Sequence, residues 1–393
     1  MRRRLNWSFA KEGRKKSTLP AACRRNTSRC LLRLMGGWGN RDMCISLQVG
    51  ERPIVLKKNR KRLFLTEKCL KSLMLFRSAQ MRFVIIMLSS SLATPVALKA
   101  DIWNYVGFED LPSSSQSIRD GIKESAVLAM IGTVMRRDGT LQSVGVPTII
   151  GRPGKRPRVY PLVAFPDRET GESVLRSARH RETAVRSLLF LAESYDGLHL
   201  DFEHLGGEDL EYLEMLLLEL YPEMTARKKT LSLAVLPGNF PSSQREFHDL
   251  SRIGPLADEF VLMTYDYHRP STEPGPVTDV HLAESAIQLA MKHVRADKIW
   301  LGVPTYGYAW EIQTGRYRTL HKKSFQEFLK CRSGTVHRHR SQMLVARCPG
   351  GAVENRKAEI AFFPDEHLVR EMKLLAKRYH LRGTAHWRLY SRN

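Results

Sequence analysis

The chain has 393 residues, long enough for one large domain or for two or three small ones, and a formal net charge of +23. That charge is not spread evenly. Residues 1–80 hold 21 Lys and Arg against 4 Asp and Glu, a surplus of 17, which leaves +6 for residues 81–393. A nucleic-acid-binding body would carry its basic surplus on the folded part, so the distribution argues against that class and leaves only the basic head as a conceivable nucleic-acid arm.

The head, residues 1–80, reads as lacking both a sustained helical period and a strand alternation, and a segment this rich in Arg and Lys need not fold. It is expected to be disordered, or an extension upstream of the true start. At Met81 begins MRFVIIMLSSSLATPVALKA: one Arg, an apolar stretch, then small residues ending at Ala100, the layout of a secretory signal peptide. An export signal is read near the start of a chain. Translation is therefore expected from Met81 and the mature protein from about Asp101, in the periplasm, the cell envelope or the medium. The competing reading is a cytoplasmic arm followed by a short membrane anchor. No run of about 20 apolar residues exists, so no stable membrane span is expected after cleavage.

From Asp101 onward, short apolar runs alternate with helical patterns. Strands are expected at 102–108, 127–134, 159–165, 196–203, 231–236, 259–265, 299–304 and 383–388. Helices are expected at about 173–193, 208–220, 243–253, 281–293 and 365–379. Strand followed by helix, repeated about eight times, predicts an α/β fold with a parallel sheet closed into a (β/α)8 TIM barrel over residues 101–393. An open doubly wound sheet is the alternative, but no Gly-x-Gly-x-x-Gly follows the first strand. Between the seventh strand and the last helix, residues 309–363 are too long for an ordinary loop and form a small insertion.

The insertion holds the body's only cysteines, Cys331 and Cys348; Cys23, Cys30, Cys44 and Cys69 lie in the head. None makes a Cys-x-x-Cys pair, and His337 and His339, between the body cysteines, fit no common structural zinc spacing. No metal and no other cofactor is expected. In an oxidising compartment Cys331 and Cys348 are expected to pair, a bridge worth on the order of 3 kcal/mol that acts mostly within the insertion.

The stretch that organises the body is DGLHLDFE, Asp196 to Glu203. Leu198, Leu200 and Phe202 alternate with His199, Asp201 and Glu203, so a two-residue period turns three apolar side chains to one face and three ionisable ones to the other. Burying three such groups is costly unless they are paired or line a cleft, which marks the polar face as a candidate site. Asp201 and Glu203 stand roughly 6.5–7 Å apart along a strand. Two carboxylates so placed can address neighbouring atoms of one substrate, one donating a proton while the other holds a developing positive charge.

DGLHLDFE resembles the catalytic strand of glycoside hydrolase family 18, the chitinase-like hydrolases, with His199 standing where the family usually has Asp. Met263-Thr264-Tyr265-Asp266, LGVPTYGYAW from Leu301 to Trp310, and GTAHWRLY from Gly383 to Tyr390 add to the resemblance in the expected order. The wording of LGVPTYGYAW is nearest to the spore-cortex and cell-wall hydrolase branch. The resemblance implies a retaining hydrolase of β-linked N-acetylglucosaminyl bonds, in peptidoglycan or chitin-like glycans. Glu203 would be the general acid, Asp201 would face the substrate's acetamide, and Tyr265 would hydrogen-bond that acetamide. Asp266, Met263, Trp387, Tyr306, His199 and Asp196 would serve binding, and the insertion would wall the cleft. His199 is expected beside Asp201, titrating with it as a coupled pair. A non-catalytic glycan-binding protein on the same barrel is the rival reading; the presence of Glu203 favours the enzyme.

Overall fold

The computed structural model describes residues 101–107, 116–143, 156–350 and 357–389, together with the backbone of four strands in the head. Those strands, β1 (Leu31–Met35), β2 (Cys44–Val49), β3 (Arg52–Asn59) and β4 (Arg62–Phe64), pair in order as an antiparallel sheet. The head therefore holds regular elements that its composition did not suggest. Ile45, Leu47 and Val49 in fact alternate, a strand pattern that the density of Arg and Lys obscures. The head, up to Ala97, and the body from Leu98 are separate compact units. The expected export segment, 81–100, lies outside the described residues.

In the body, eight parallel strands close on themselves: β5 (Asp101–Gly107), β6 (Val127–Met135), β8 (Arg158–Ala164), β9 (Gly197–Asp201), β10 (Thr230–Val235), β11 (Glu259–Leu262), β12 (Ile299–Pro304) and β18 (Gly383–Leu389). The β18–β5 pairing completes the ring, and the short β7 (Leu141–Ser143) adds an antiparallel hairpin to β6. Each expected body strand is present to within a few residues. The periodicity reads well here because strands covered on both faces form short apolar runs that polar turns bound on either side.

The helices depart more from expectation. The first, α1 (Gln116–Glu124), has no counterpart in the expected set. The pattern over 173–193 splits into α2 (Arg168–Arg176) and α3 (Ala178–Glu193), because Ser177 turns extended and its hydroxyl accepts from the His180 N–H at 3.3 Å. A serine in that role satisfies one orphan donor of the new helix start, which favours breaking the helix there. The region expected as a helix at 243–253 is largely 3-10, over Ser243–His248, and only Leu250–Ile253 is α-helical.

Two apolar cores follow from the alternation of β9. Outward, Leu198, Leu200 and Phe202 join the layer between strands and helices, with the Phe202 ring stacked 4.0 Å from Phe165. Inward, His199 meets a barrel interior of Trp103, Tyr105, Tyr160, Leu162, Val261 and Trp300, with its ring 4.9 Å from Trp103. Each fully buried side chain of this size contributes roughly 1.5–3 kcal/mol.

The insertion is a five-stranded antiparallel sheet, ordered β14 (Tyr317–Leu320), β13 (Gly307–Glu311), β17 (Glu359–Phe363), β16 (Leu344–Cys348), β15 (Thr335–Arg338). It has a small core of its own around Leu320, Phe325, Phe328 and Phe363. The expected disulfide joins Cys331 to Cys348, with Cα atoms 5.9 Å apart. Trp310, 1% exposed, packs inside as a structural residue.

Candidate active site

The inward face of β9 climbs from floor to mouth. His199 is fully buried, Asp201 is 8% exposed and Glu203, just past the strand's last residue, is half-buried. Above them opens a cleft of about 520 Å3 lined by Asp201, Glu203, Leu236, Phe240, Gln244, Met263, Tyr265, Asp266, Arg269 and Trp387. Apart from Asp201 at the end of β9 and Trp387 within β18, these residues follow the carboxyl ends of β9, β10 and β11, the end where parallel barrels build their sites.

Two backbone features aim the β11 residues. Gly302 on β12 lets the chain pass close: a Cβ there would stand 2.4 Å from the Leu262 carbonyl and 2.8 Å from the Tyr265 ring. Asp266 adopts φ 60, the left-handed region that Asp tolerates better than most residues, and so turns its carboxylate into the cleft. There it accepts the Tyr306 hydroxyl at 2.5 Å.

Electrostatics set these carboxyls apart from ordinary ones. Burial, then the neighbouring Glu203, hold the Asp201 carboxyl well above its usual range. Burial also raises Glu203, with His204 and Arg269 opposing and Asp266 assisting. Asp266 is raised by burial as well, partly offset by the Tyr306 hydroxyl and Arg269. The Tyr265 phenol is raised chiefly by burial, with Tyr105, Asp201 and Glu203 adding to it. The buried Oδ1 of Asp201 receives no hydrogen bond among the described residues. Acidic groups so close and so dry cannot all ionise cheaply, so the cleft retains a transferable proton at pH values where a free carboxylate has lost its own. Trp387, half-buried with its ring 4.8 Å from Tyr105, offers a flat apolar face at the cleft wall.

Three expectations need correction. Asp196 sits at the opposite end of β9 from the cleft: its carboxylate pairs with Arg156 at 2.5 Å and accepts the Val159 N–H at 2.8 Å, so it ties strand starts together. His199 does not pair with Asp201. Its ring nitrogens meet the Tyr105 hydroxyl at 2.9 Å and the Ser232 hydroxyl at 3.0 Å. Burial pushes its pKa down to about 3, so it is neutral under ordinary conditions and lends Asp201 no cation. Tyr306 is only 4% exposed, and its hydroxyl is given to the Asp266 carboxylate, so it serves the cleft through Asp266. Phe240, Gln244 and Arg269 do line the cleft and were not anticipated: Phe240 and Arg269 lie on loops where neither period nor motif marks them, and Gln244 lies in the 3-10 segment Ser243–His248, where a helical pattern marks no site.

The sequence model for glycosyl hydrolases family 18 matches residues 172–391. Among curated relatives, the uncharacterized glycosylase YvbX of Bacillus subtilis (strain 168) is 26% identical over 220 residues, covering 53% of this chain and 62% of that protein. The cortical fragment-lytic enzyme of Bacillus anthracis is 25% identical over 197 residues, covering 47% of this chain and 46% of that protein. The chain thus spans less than two thirds of the length of these relatives. Among solved structures, a chitinase from Chromobacterium violaceum ATCC 12472 superposes with a TM-score of 0.66 at 21% identity, covering 75% of this chain and 95% of that one. The spore cortex-lytic enzyme SleL of Bacillus megaterium QM B1551 superposes with a TM-score of 0.64 at 19% identity, covering 74% of this chain and 70% of that one. At these identities the structural likeness shows the barrel.

Proposed function

Because the chain belongs to glycosyl hydrolases family 18, we propose that it hydrolyses β-linked N-acetylglucosaminyl bonds with retention of configuration, its substrate's own acetamide acting as nucleophile. In a retaining two-carboxylate glycosidase the second carboxyl would be the nucleophile; here Asp201 supports the acetamide instead. One observation carries the reading: Asp201, Glu203, Tyr265, Asp266 and Trp387 converge on one cleft in which Glu203 holds its proton above the usual carboxylate range.

The steps follow from those positions. Glu203 gives its proton to the glycosidic oxygen as the bond to the anomeric carbon breaks. The acetamide oxygen closes on that carbon, forming an oxazolinium ion. The positive charge that develops beside Asp201 favours its ionised form, the reverse of the effect of burial, so the stabilisation is greatest when the reaction needs it. Tyr265 donates to the acetamide and Trp387 stacks on the sugar ring. The Glu203 carboxylate then takes a proton from water, which opens the oxazolinium and returns a β-configured reducing end.

Relatives named for spore-cortex lysis favour peptidoglycan over chitin as substrate. The test is to incubate the full chain with peptidoglycan and with chitin oligomers and to count new reducing ends. Turnover on either supports the reading. Saturable binding without new reducing ends assigns the protein to the glycan-binding alternative. We further propose export through the segment starting at Met81, with a mature start near Asp101; amino-terminal sequencing of native protein that finds residues 1–80 attached would reject it.

A further inference from the structure

We propose that Arg269 is a specificity-determining residue that reads a carboxylate on the substrate, so that the cleft prefers acidic glycan strands, such as those bearing muramyl lactyl groups, to neutral ones. The inference rests on the hydrolase reading above and narrows its substrate class.

Arg269 lines the catalytic cleft together with Glu203, Asp266, Phe240 and Gln244. Its guanidinium lies 6.0 Å from the centre of the Phe240 ring, and its only side-chain hydrogen bond among the described residues is a long one from Nε to the Ser271 hydroxyl, 3.3 Å. It makes no ion pair within 4.0 Å among the described residues. The contrast is Arg168, beside the groove that adjoins the cleft at Gln244: its guanidinium is engaged by both Glu172 at 2.7 Å and Glu208 at 2.5 Å.

The Arg269 backbone is fixed rather than loose. Its N–H donates to the Thr272 hydroxyl at 3.0 Å and its carbonyl accepts the Thr272 N–H at 2.9 Å. A turn so pinned fixes the Arg269 backbone at the cleft, which lowers the cost of bringing its side chain to a ligand. Arginine presents a planar fork of donors that suits a carboxylate, and a neutral N-acetylglucosamine polymer offers it none. Burial raises the nearby Glu203 and Asp266, against the pull of Arg269, and neither stands within ion-pair distance of it among the described residues.

The experiment compares hydrolysis of four substrates by the full chain: intact glycan strands with peptide stems, strands stripped of peptides, the same strands with carboxyls reduced to alcohols, and chitin oligomers. The readout is the ratio of kcat/KM on stripped strands to that on carboxyl-reduced strands. A ratio well above one in the parent that falls about ten- to hundredfold in Arg269→Gln, with partial recovery in Arg269→Lys, supports the proposal. If stripped strands gain nothing over carboxyl-reduced ones and only strands with peptide stems are favoured, no carboxylate of the glycan strand is read and the proposal is overturned. If Arg269→Gln merely shifts the pH profile by the same amount on every substrate and leaves the ratio unchanged, Arg269 only balances Glu203 and the proposal is overturned. Binding of the same strands to Glu203→Gln and to Glu203→Gln/Arg269→Gln gives the preference without turnover. A carboxylate preference there, in a chain whose parent hydrolyses nothing, would sink the hydrolase reading and leave this one standing; equal binding would sink this one alone.

Discussion

His199 and Asp201 leave the same face of one strand, two residues apart, and the barrel makes opposite uses of them. His199 lies on the floor, in an aromatic interior, and both ring nitrogens are matched by hydroxyls from β5 and β10. Asp201 lies one step nearer the mouth, still buried, but with an oxygen that nothing in the described protein satisfies. A satisfied buried group stabilises a fold and is chemically quiet, whereas an unsatisfied one costs stability and waits for a partner. Depth along the strand, more than residue type, divides structure from chemistry in this cleft.

The largest effect should come from the mouth. Glu203→Gln removes the transferable proton and keeps the shape, so turnover should fall by about 100- to 10,000-fold while glycan binding persists. Reducing-end assays beside a binding titration separate the two; unchanged turnover would move the acid elsewhere. Asp201→Asn should lower turnover by on the order of 100-fold, since the charge facing the oxazolinium is lost. The same substitution should stabilise the empty protein above neutral pH. The folded-state pKa of Asp201 is raised, so the fold binds more protons than the unfolded chain and loses stability as pH rises through that window. Asn cannot ionise, and thermal melts at pH 8 should show the variant melting above the parent.

On the floor the signs reverse. With a folded pKa of about 3 against about 6.5 unfolded, His199 should cost on the order of 4 kcal/mol of stability as pH falls between those values. Denaturant titrations across pH 3 to 6.5 should show a flatter acid loss in His199→Gln than in the parent. Identical slopes would mean that the ring is not neutral in the fold. His199→Ala should cost roughly 2–4 kcal/mol at neutral pH, from a cavity and two hydroxyls left without their partner. The smallest effect should come from the insertion. Reducing Cys331–Cys348 should loosen that sheet by about 3 kcal/mol locally, visible as faster proteolysis near Gly334, and should leave the barrel's melting almost unmoved.

The same contrast explains what the sequence made legible. Body strands such as Leu231–Leu236 could be read because covered strands are apolar runs. DGLHLDFE could be read because three ionisable residues at a two-residue period, backed by three apolar ones, are costly to bury anywhere but in a cleft. What the pattern could not carry was depth. Asp196 and Glu203 bracket one strand and look alike in sequence, yet only the carboxyl end of a parallel barrel strand faces the mouth, a rule that would have set Asp196 aside. His199 could not be assigned its partners, because Tyr105 and Ser232 come from strands 94 and 33 residues away. Arg269 and Phe240 sit in loops, where placement is set by turns such as the one at Thr272 rather than by any period, and Gln244 sits in a short 3-10 segment that the helical pattern did not mark as a site. In the head, composition outweighed a real alternation at Ile45, Leu47 and Val49.

The central claim is that the mouth of this barrel cleaves a glycosidic bond through the substrate's own acetamide, with Glu203 as acid and Asp201 facing the charge. Proton NMR of the first reducing ends released by the full chain, recorded before mutarotation, tests it most directly. The account predicts β anomers from the parent and no comparable signal from Glu203→Gln. Initial α anomers, or equal release by the variant, would contradict it.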